Sequence, residues 1–235
     1  MPIEFIRAIS EGKKIYGILH LPRTPSSPPC VIASHGLFSS KDSEKFVEIG
    51  KFFSSMGIAI IRYDHQGCGE SEGDISETTV SSRIKDLEAI CELAINHPLL
   101  GDDIGLLGSS MGGFISIFKG ASDPRIKALA LWATPSHFLG KREMTQEGAS
   151  LLKDSFYQES KRYDARRAIK KVSHCLILHG EADELVPLSQ ANELYSLAKP
   201  PKNLEIFSGG DHRFTDPQHR RRAIELSFSW FKRYL

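Results

Sequence analysis

Apolar and polar positions change rhythm about thirty residues into the chain. Before that point, residues 3–8 alternate apolar with polar up to Ser10-Glu11-Gly12, and a second apolar-rich run covers 14–21. This spacing predicts an antiparallel hairpin. The stretch from Pro22 to Pro29 is rich in proline and serine and too short to be a domain linker. Beyond it come continuous apolar runs at 30–34, 59–63, 104–107, 128–132, 175–178 and 204–207. Each has the length of a strand buried on both faces. The intervals 43–56, 81–96, 112–120 and 189–198 have helical composition, and 218–234 predicts a closing helix. Alternation of this kind predicts an α/β fold, a mostly parallel sheet with helices on both faces. Between Trp132 and Cys175 no buried strand stands out, while 145–159 and 165–171 read as helical. We expect one domain over 1–235, with 136–172 forming a small helical lid inserted over the edge of the sheet.

Composition narrows the classes. The chain has 235 residues, 40% hydrophobic and 25% charged, with a formal net charge of +1. So small a charge gives no overall field toward nucleic acid. No stretch approaches the roughly 20 apolar residues of a membrane helix, so no stable membrane insertion is expected. Residues 1–5 lack the basic flank and apolar run of a signal peptide, which gives a cytoplasmic expectation. Cys30, Cys68, Cys91 and Cys175 are scattered, with no CxxC pair. They are expected to be buried, reduced thiols rather than zinc ligands. No metal and no organic cofactor is expected, and the chain would act as a monomer or homodimer.

Candidate chemistry centres on Gly108-Ser109-Ser110-Met111-Gly112, which fits G-x-S-x-G. The run before it predicts a strand and the run after it a helix start. This is the setting that exposes a serine hydroxyl on a sharp turn. Side chains two residues either side would collide there, hence Gly108 and Gly112. A hydroxyl needs a base. Of nine histidines, His212 is the one between the last predicted strand and the last helix. The acid that orients it is expected after the preceding strand, in His179-Gly180-Glu181-Ala182-Asp183-Glu184, with Asp183 preferred over its rivals Glu181 and Glu184. Asp211, the direct neighbour of the base, is poorly placed to face its ring. Acyl transfer also needs oxyanion donors. The backbone N–H groups of Met111 and of Leu37, in His35-Gly36-Leu37-Phe38 after the strand at 31–34, are the candidates.

Together with Arg62-Tyr63-Asp64-His65-Gln66-Gly67-Cys68-Gly69-Glu70-Ser71, these motifs resemble the α/β-hydrolase superfamily over nearly the whole chain. The order Ser110, Asp183, His212 matches that superfamily. The nearest branch resembles cinnamoyl (feruloyl) esterases and monoacylglycerol-lipase-like hydrolases, with serine aminopeptidase S33-like relatives. The resemblance implies an eight-stranded α/β-hydrolase fold and a serine esterase acting on a small-molecule ester. An aminoacyl peptidase or amidase, with Glu143, Glu147 or Asp154 anchoring a free amine, or a thioesterase, would use the same triad. A non-catalytic binding protein of this fold is the remaining alternative. In the 64–73 segment, G-x-G-x-x-G would need glycine where Glu72 stands, so no dinucleotide site is expected. Asp64 is read as a hydrogen-bonding turn residue. Trp132, Phe138, Phe156, Tyr157 and Tyr163 would either line an acyl pocket or pack the lid. His137 and the basic runs at 166–171 and 220–222 read as surface.

Overall fold

The computed structural model describes residues 2–138 and 151–235. The predicted hairpin is β1 (Ile3–Ser10) and β2 (Lys13–His20), paired antiparallel from Ile3 opposite His20 to Ser10 opposite Lys13. Then follow β3 (Cys30–Ser34), α1 (Glu44–Ser55), β4 (Ala59–Tyr63), α2 (Val80–Ile95), β5 (Ile104–Ser109), α3 (Met111–Ser122) and β6 (Ile126–Trp132). After the undescribed stretch come α4 (Asp154–Ser160), α5 (Ala165–Ala168), β7 (Cys175–Gly180), α6 (Leu188–Leu197), β8 (Lys202–Phe207) and α7 (Pro217–Tyr234). The eight strands form one sheet in the order β1-β2-β4-β3-β5-β6-β7-β8. β2 meets β4 antiparallel, and β3 to β8 run parallel. This is the eight-stranded α/β-hydrolase fold.

The sequence pattern explains the layers. β3, β4, β5 and β7 are buried at every position, so their apolar runs are continuous rather than alternating. One face is covered by α1 and α7, through Phe46, Ile49 and Phe53 against Phe228 and Phe231. The other is covered by α2, α3 and the shorter helices, through residues such as Leu87, Ile90, Phe114 and Ile117. Helix starts are set locally. Thr79 and Ser82 form a reciprocal capping box on α2. Asp216 accepts from the N–H groups of Gln218 and His219, ahead of Pro217 at the first turn of α7. Among the described residues no helix is long and apolar enough to cross a membrane, and the four cysteines are free and buried.

Several expectations change. Of the helical reading of 145–159, residues 145–150 lie outside the described residues; within them Leu151 is helical and α4 covers the last part. Trp132 is fully buried at the end of β6, donates Nε1–H to Ser227 Oγ at 2.9 Å and packs on Phe214, so it belongs to the core and not to a pocket wall. Phe156 is likewise buried in the core. The 220–222 run is not uniformly surface: Arg220 is buried and clamps α7 to α1 through Glu48 at 2.9 and 3.0 Å and Glu44 at 3.2 Å. Arg221 and Arg222 are exposed, as expected.

Candidate active site

Parallel strands place their C-terminal loops on one edge, and the candidate residues meet there. β5 ends at Ser109, and α3 begins at Met111. Ser110 between them has φ 55° and ψ −118°, a strained conformation for a residue with a side chain. The turn is tight on both sides. A Cβ on Gly108 would strike the backbone of Gly112, and one on Gly112 would strike the carbonyl of Ser34. The turn is closed by Ser110 N–H donating to the Trp132 carbonyl at 2.8 Å and Phe114 N–H to the Ser110 carbonyl at 3.0 Å.

His212 lies in the loop after β8, and Asp183 in the loop after β7. The His212 Nδ1 is 2.9 Å from both carboxylate oxygens of Asp183. An ionised carboxylate only accepts, so Nδ1 carries the proton and donates, leaving Nε2 as the basic nitrogen. Burial opposes the charge on Asp183. The bonds from His212 and from the Val186 and Leu185 N–H groups, at 2.7 and 2.9 Å, outweigh it and hold the carboxyl below its ordinary range. The rivals are committed elsewhere. Glu181 accepts from Ser208 and Gly209, Glu184 accepts from the backbone N–H of His212, and Asp211 accepts from Thr215.

Ser110, His212, Met111 and Leu37 all line one cavity of about 470 Å³. Its walls also include His137 and Phe138, so His137, read from sequence as surface, faces the site. Among the described residues neither the Leu37 nor the Met111 N–H donates to another group. Met111 opens α3, where the first N–H groups have no intrahelical acceptor. The Leu37 amide is aimed from behind. His35 Nε2 accepts from the His65 N–H at 3.1 Å, so its Nδ1 holds the proton and donates to the Gly36 carbonyl at 2.7 Å. That carbonyl and the Leu37 N–H are opposite edges of one planar peptide. Pulling the carbonyl toward His35 turns the N–H the other way. Burial, with help from His65 and Arg83, pushes the His35 ring well below its usual range and keeps it neutral.

Two contributors escaped the sequence reading. Arg83, fully buried on α2, donates to the Leu37 carbonyl at 2.9 Å, the Gly36 carbonyl at 3.5 Å and Thr78 Oγ1 at 3.0 Å. Lys45, the second residue of α1, lines the cavity and donates to Ser109 Oγ at 2.8 Å. Both sit in helices whose spacing reads as ordinary surface. Asp64 behaves as a turn residue: it accepts from the Lys41 and Glu70 N–H groups and from Lys41 Nζ. Among the described residues the carboxylates that cluster closely enough for a metal are Asp42, Asp64 and Glu70. The Lys41 ammonium already sits among them at 2.8, 3.0 and 2.6 Å, and Arg62 also pairs with Asp42, which offsets part of the cluster's charge.

Fold and cleft thus define an α/β-hydrolase. The profile of the serine aminopeptidase S33 family matches residues 26–163, and the chain belongs to that family. It is similar to the mitochondrial palmitoyl-protein thioesterase ABHD10 of Mus musculus, 27% identical over 220 residues that cover 83% of this chain and 72% of that protein. In structure it resembles Est1E from Butyrivibrio proteoclasticus with ferulic acid bound, at a TM-score of 0.84 and 20% identity over 97% of this chain and 99% of the other. It also resembles mouse alpha/beta hydrolase domain-containing protein 10, at 0.79 and 22%, over 99% of each chain.

Proposed function

We propose that this chain is a serine hydrolase that cleaves carboxylic esters through an acyl-enzyme. The observation that carries the reading is the Asp183–His212 pair, which leaves the basic imidazole nitrogen in the same cavity as Ser110. In this scheme His212 Nε2 takes the Ser110 proton as Oγ attacks the acyl carbon. The carbonyl oxygen becomes an oxyanion, held by the Leu37 and Met111 N–H groups. The imidazolium, stabilised by Asp183, protonates the departing alcohol. Water then gives its proton to the same nitrogen, attacks the acyl carbon and releases the acid, and Ser110 recovers its proton.

A thioester is the second reading, favoured by the thioesterase named among the relatives. The same steps apply, with a thiol leaving. An aminopeptidase would need an anchor for a free amine; of the residues expected to supply one, Glu143 and Glu147 lie outside the described residues. The 136–172 segment is proposed as the lid. The four free cysteines suit a reducing compartment, such as the expected cytoplasm. Fluorophosphonate labelling and hydrolysis of para-nitrophenyl esters of graded acyl length test the reading. Both are expected in the wild type and lost in Ser110→Ala. Labelling or turnover that survives in Ser110→Ala would refute the assignment.

A further inference from the structure

The lining of the cavity beside Ser110 combines two kinds of side chain. Phe38, Phe138, Leu185 and Val186 are apolar; Lys45, Arg213 and Arg220 are cationic, with Glu44 beside them. Arg220 is already matched by Glu44 and Glu48. Lys45 is not matched in this way: among the described residues its hydrogen-bond acceptor is the neutral hydroxyl of Ser109, at 2.8 Å. Lys45 is half-buried. Burial pushes its ammonium down to about 8, with Arg213 and Arg220 adding to the effect and Asp211 and Asp183 opposing it. Asp211 is occupied by the N–H and hydroxyl of Thr215, at 2.8 and 2.7 Å. Arg213 is exposed beside His212 and, among the described residues, pairs with no carboxylate.

A desolvated cation without a counter-ion is unfavourable unless something anionic completes it. Here it is hydrogen-bonded to Ser109, the residue before the proposed nucleophile, and lines the cavity the substrate would enter. We propose that the site selects esters carrying a carboxylate or phosphate, with that anion on Lys45 and Arg213 and the apolar part of the substrate against Phe138 and Leu185. This inference rests on the reading of Ser110 as nucleophile and narrows the substrate class for it. The anion could belong to the acyl half or to the alcohol half, because either substituent of the reacting carbon can point to the cationic side chains.

Two substrate pairs separate those sources. The first varies the acyl group: para-nitrophenyl hydrogen glutarate against para-nitrophenyl valerate. The second varies the alcohol: meta-carboxyphenyl butyrate against its methyl ester. The quantity read is the ratio of kcat/KM, anionic over neutral, within each pair. In one pair the wild type is expected to favour the anion by about tenfold, the scale of one partly shielded charged hydrogen bond. That ratio should fall by at least about fivefold in Lys45→Met, mainly through KM, and be retained in Lys45→Arg. Ser109→Ala removes the bond between α1 and the elbow but keeps the cation, so it should keep the ratio. A smaller fall in Lys45→Met, or an equal fall in Ser109→Ala, would mean that Lys45 only pins the helix, and would overturn the proposal. Ser110-dependent turnover without anion preference refutes this inference alone. Absence of Ser110-dependent turnover of any of the esters refutes the reading beneath it as well.

Discussion

Replacing Arg83 with methionine tests whether Leu37, the proposed oxyanion donor, is held from behind. Methionine keeps much of the side-chain volume but removes the donors to the Leu37 carbonyl, the Gly36 carbonyl and Thr78 Oγ1. The Gly36 carbonyl retains His35, whereas among the described residues the Leu37 carbonyl keeps only the weak thiol of Cys68 at 3.9 Å. A hydrogen bond from a charged donor contributes about 1.5–3 kcal/mol. Four are lost, counting the weak one to Cys68 Sγ at 3.4 Å, but the desolvation cost of a buried guanidinium is lost with them, so the net destabilisation is about 2–3 kcal/mol. For a domain of this size that lowers Tm by roughly 4–12 °C. Complete loss of one oxyanion donor costs about 2.7–4 kcal/mol in the transition state. A Leu37 peptide that is loosened but still tied through Gly36 loses part of that, giving a fall in kcat of roughly ten- to a hundredfold with little change in KM. The assay is steady-state hydrolysis of a para-nitrophenyl ester at a temperature well below both midpoints. Phe228→Leu, on the far face of the sheet, serves as a control of similar destabilisation. A kcat in Arg83→Met no lower than in that control refutes the positioning role.

Asp183→Asn keeps an acceptor for the Leu185 and Val186 N–H groups but cannot stabilise the imidazolium. It should stay folded by circular dichroism while kcat falls by about three to four orders of magnitude; a loss under tenfold would refute the assignment of the acid. His20 supplies a test by pH. Burial, with the charges of Arg62 and Lys51, lowers its ring to about 4 from the usual 6.5, so it is neutral in the fold. A group with a depressed basic pKa takes up its proton more readily in the unfolded chain, so stability is lost as pH falls from 6.5 toward 4. Between pH 7 and pH 5 this amounts to roughly 2 kcal/mol. His20→Gln keeps an acceptor for the Arg62 Nε–H and should flatten urea-measured stability across that interval by that amount; an unchanged slope refutes the account.

Much of the scaffold was legible because buried parallel strands leave unbroken apolar runs. The runs at 30–34 and 59–63 coincide with β3 and β4, and β5 needed only extension through the elbow to Ser109. Gly108 and Gly112 announced the elbow because their lack of a side chain is a steric requirement that letters preserve. Residues whose part depends on distant partners were not legible. Arg220 reads as one of three arginines on a helix, and only the approach of α1 makes it a buried clamp. Trp132 sits where an insertion begins, and nothing local says that Ser227, ninety-five residues on, will accept its proton. Arg83 and Lys45 look like solvated helix faces until the loop after β3 folds over the one and the cavity opens beside the other.

The His212 loop and Phe138, both lining the cleft, are anchored on different faces of the sheet. Phe214, two residues past His212, is wedged between Trp132 and Phe207 on the side of the sheet covered by α1 and α7. Phe138 packs on Phe114 and Phe156 on the opposite side. The sheet acts as a partition between them. Enlarging the cleft at Phe138 therefore disturbs a different packing unit from the one that holds the His212 loop, whereas Leu185 and Val186 belong to the loop whose N–H groups hold Asp183. Substitutions at Phe138 can therefore accumulate without loosening the Asp183–His212 pair.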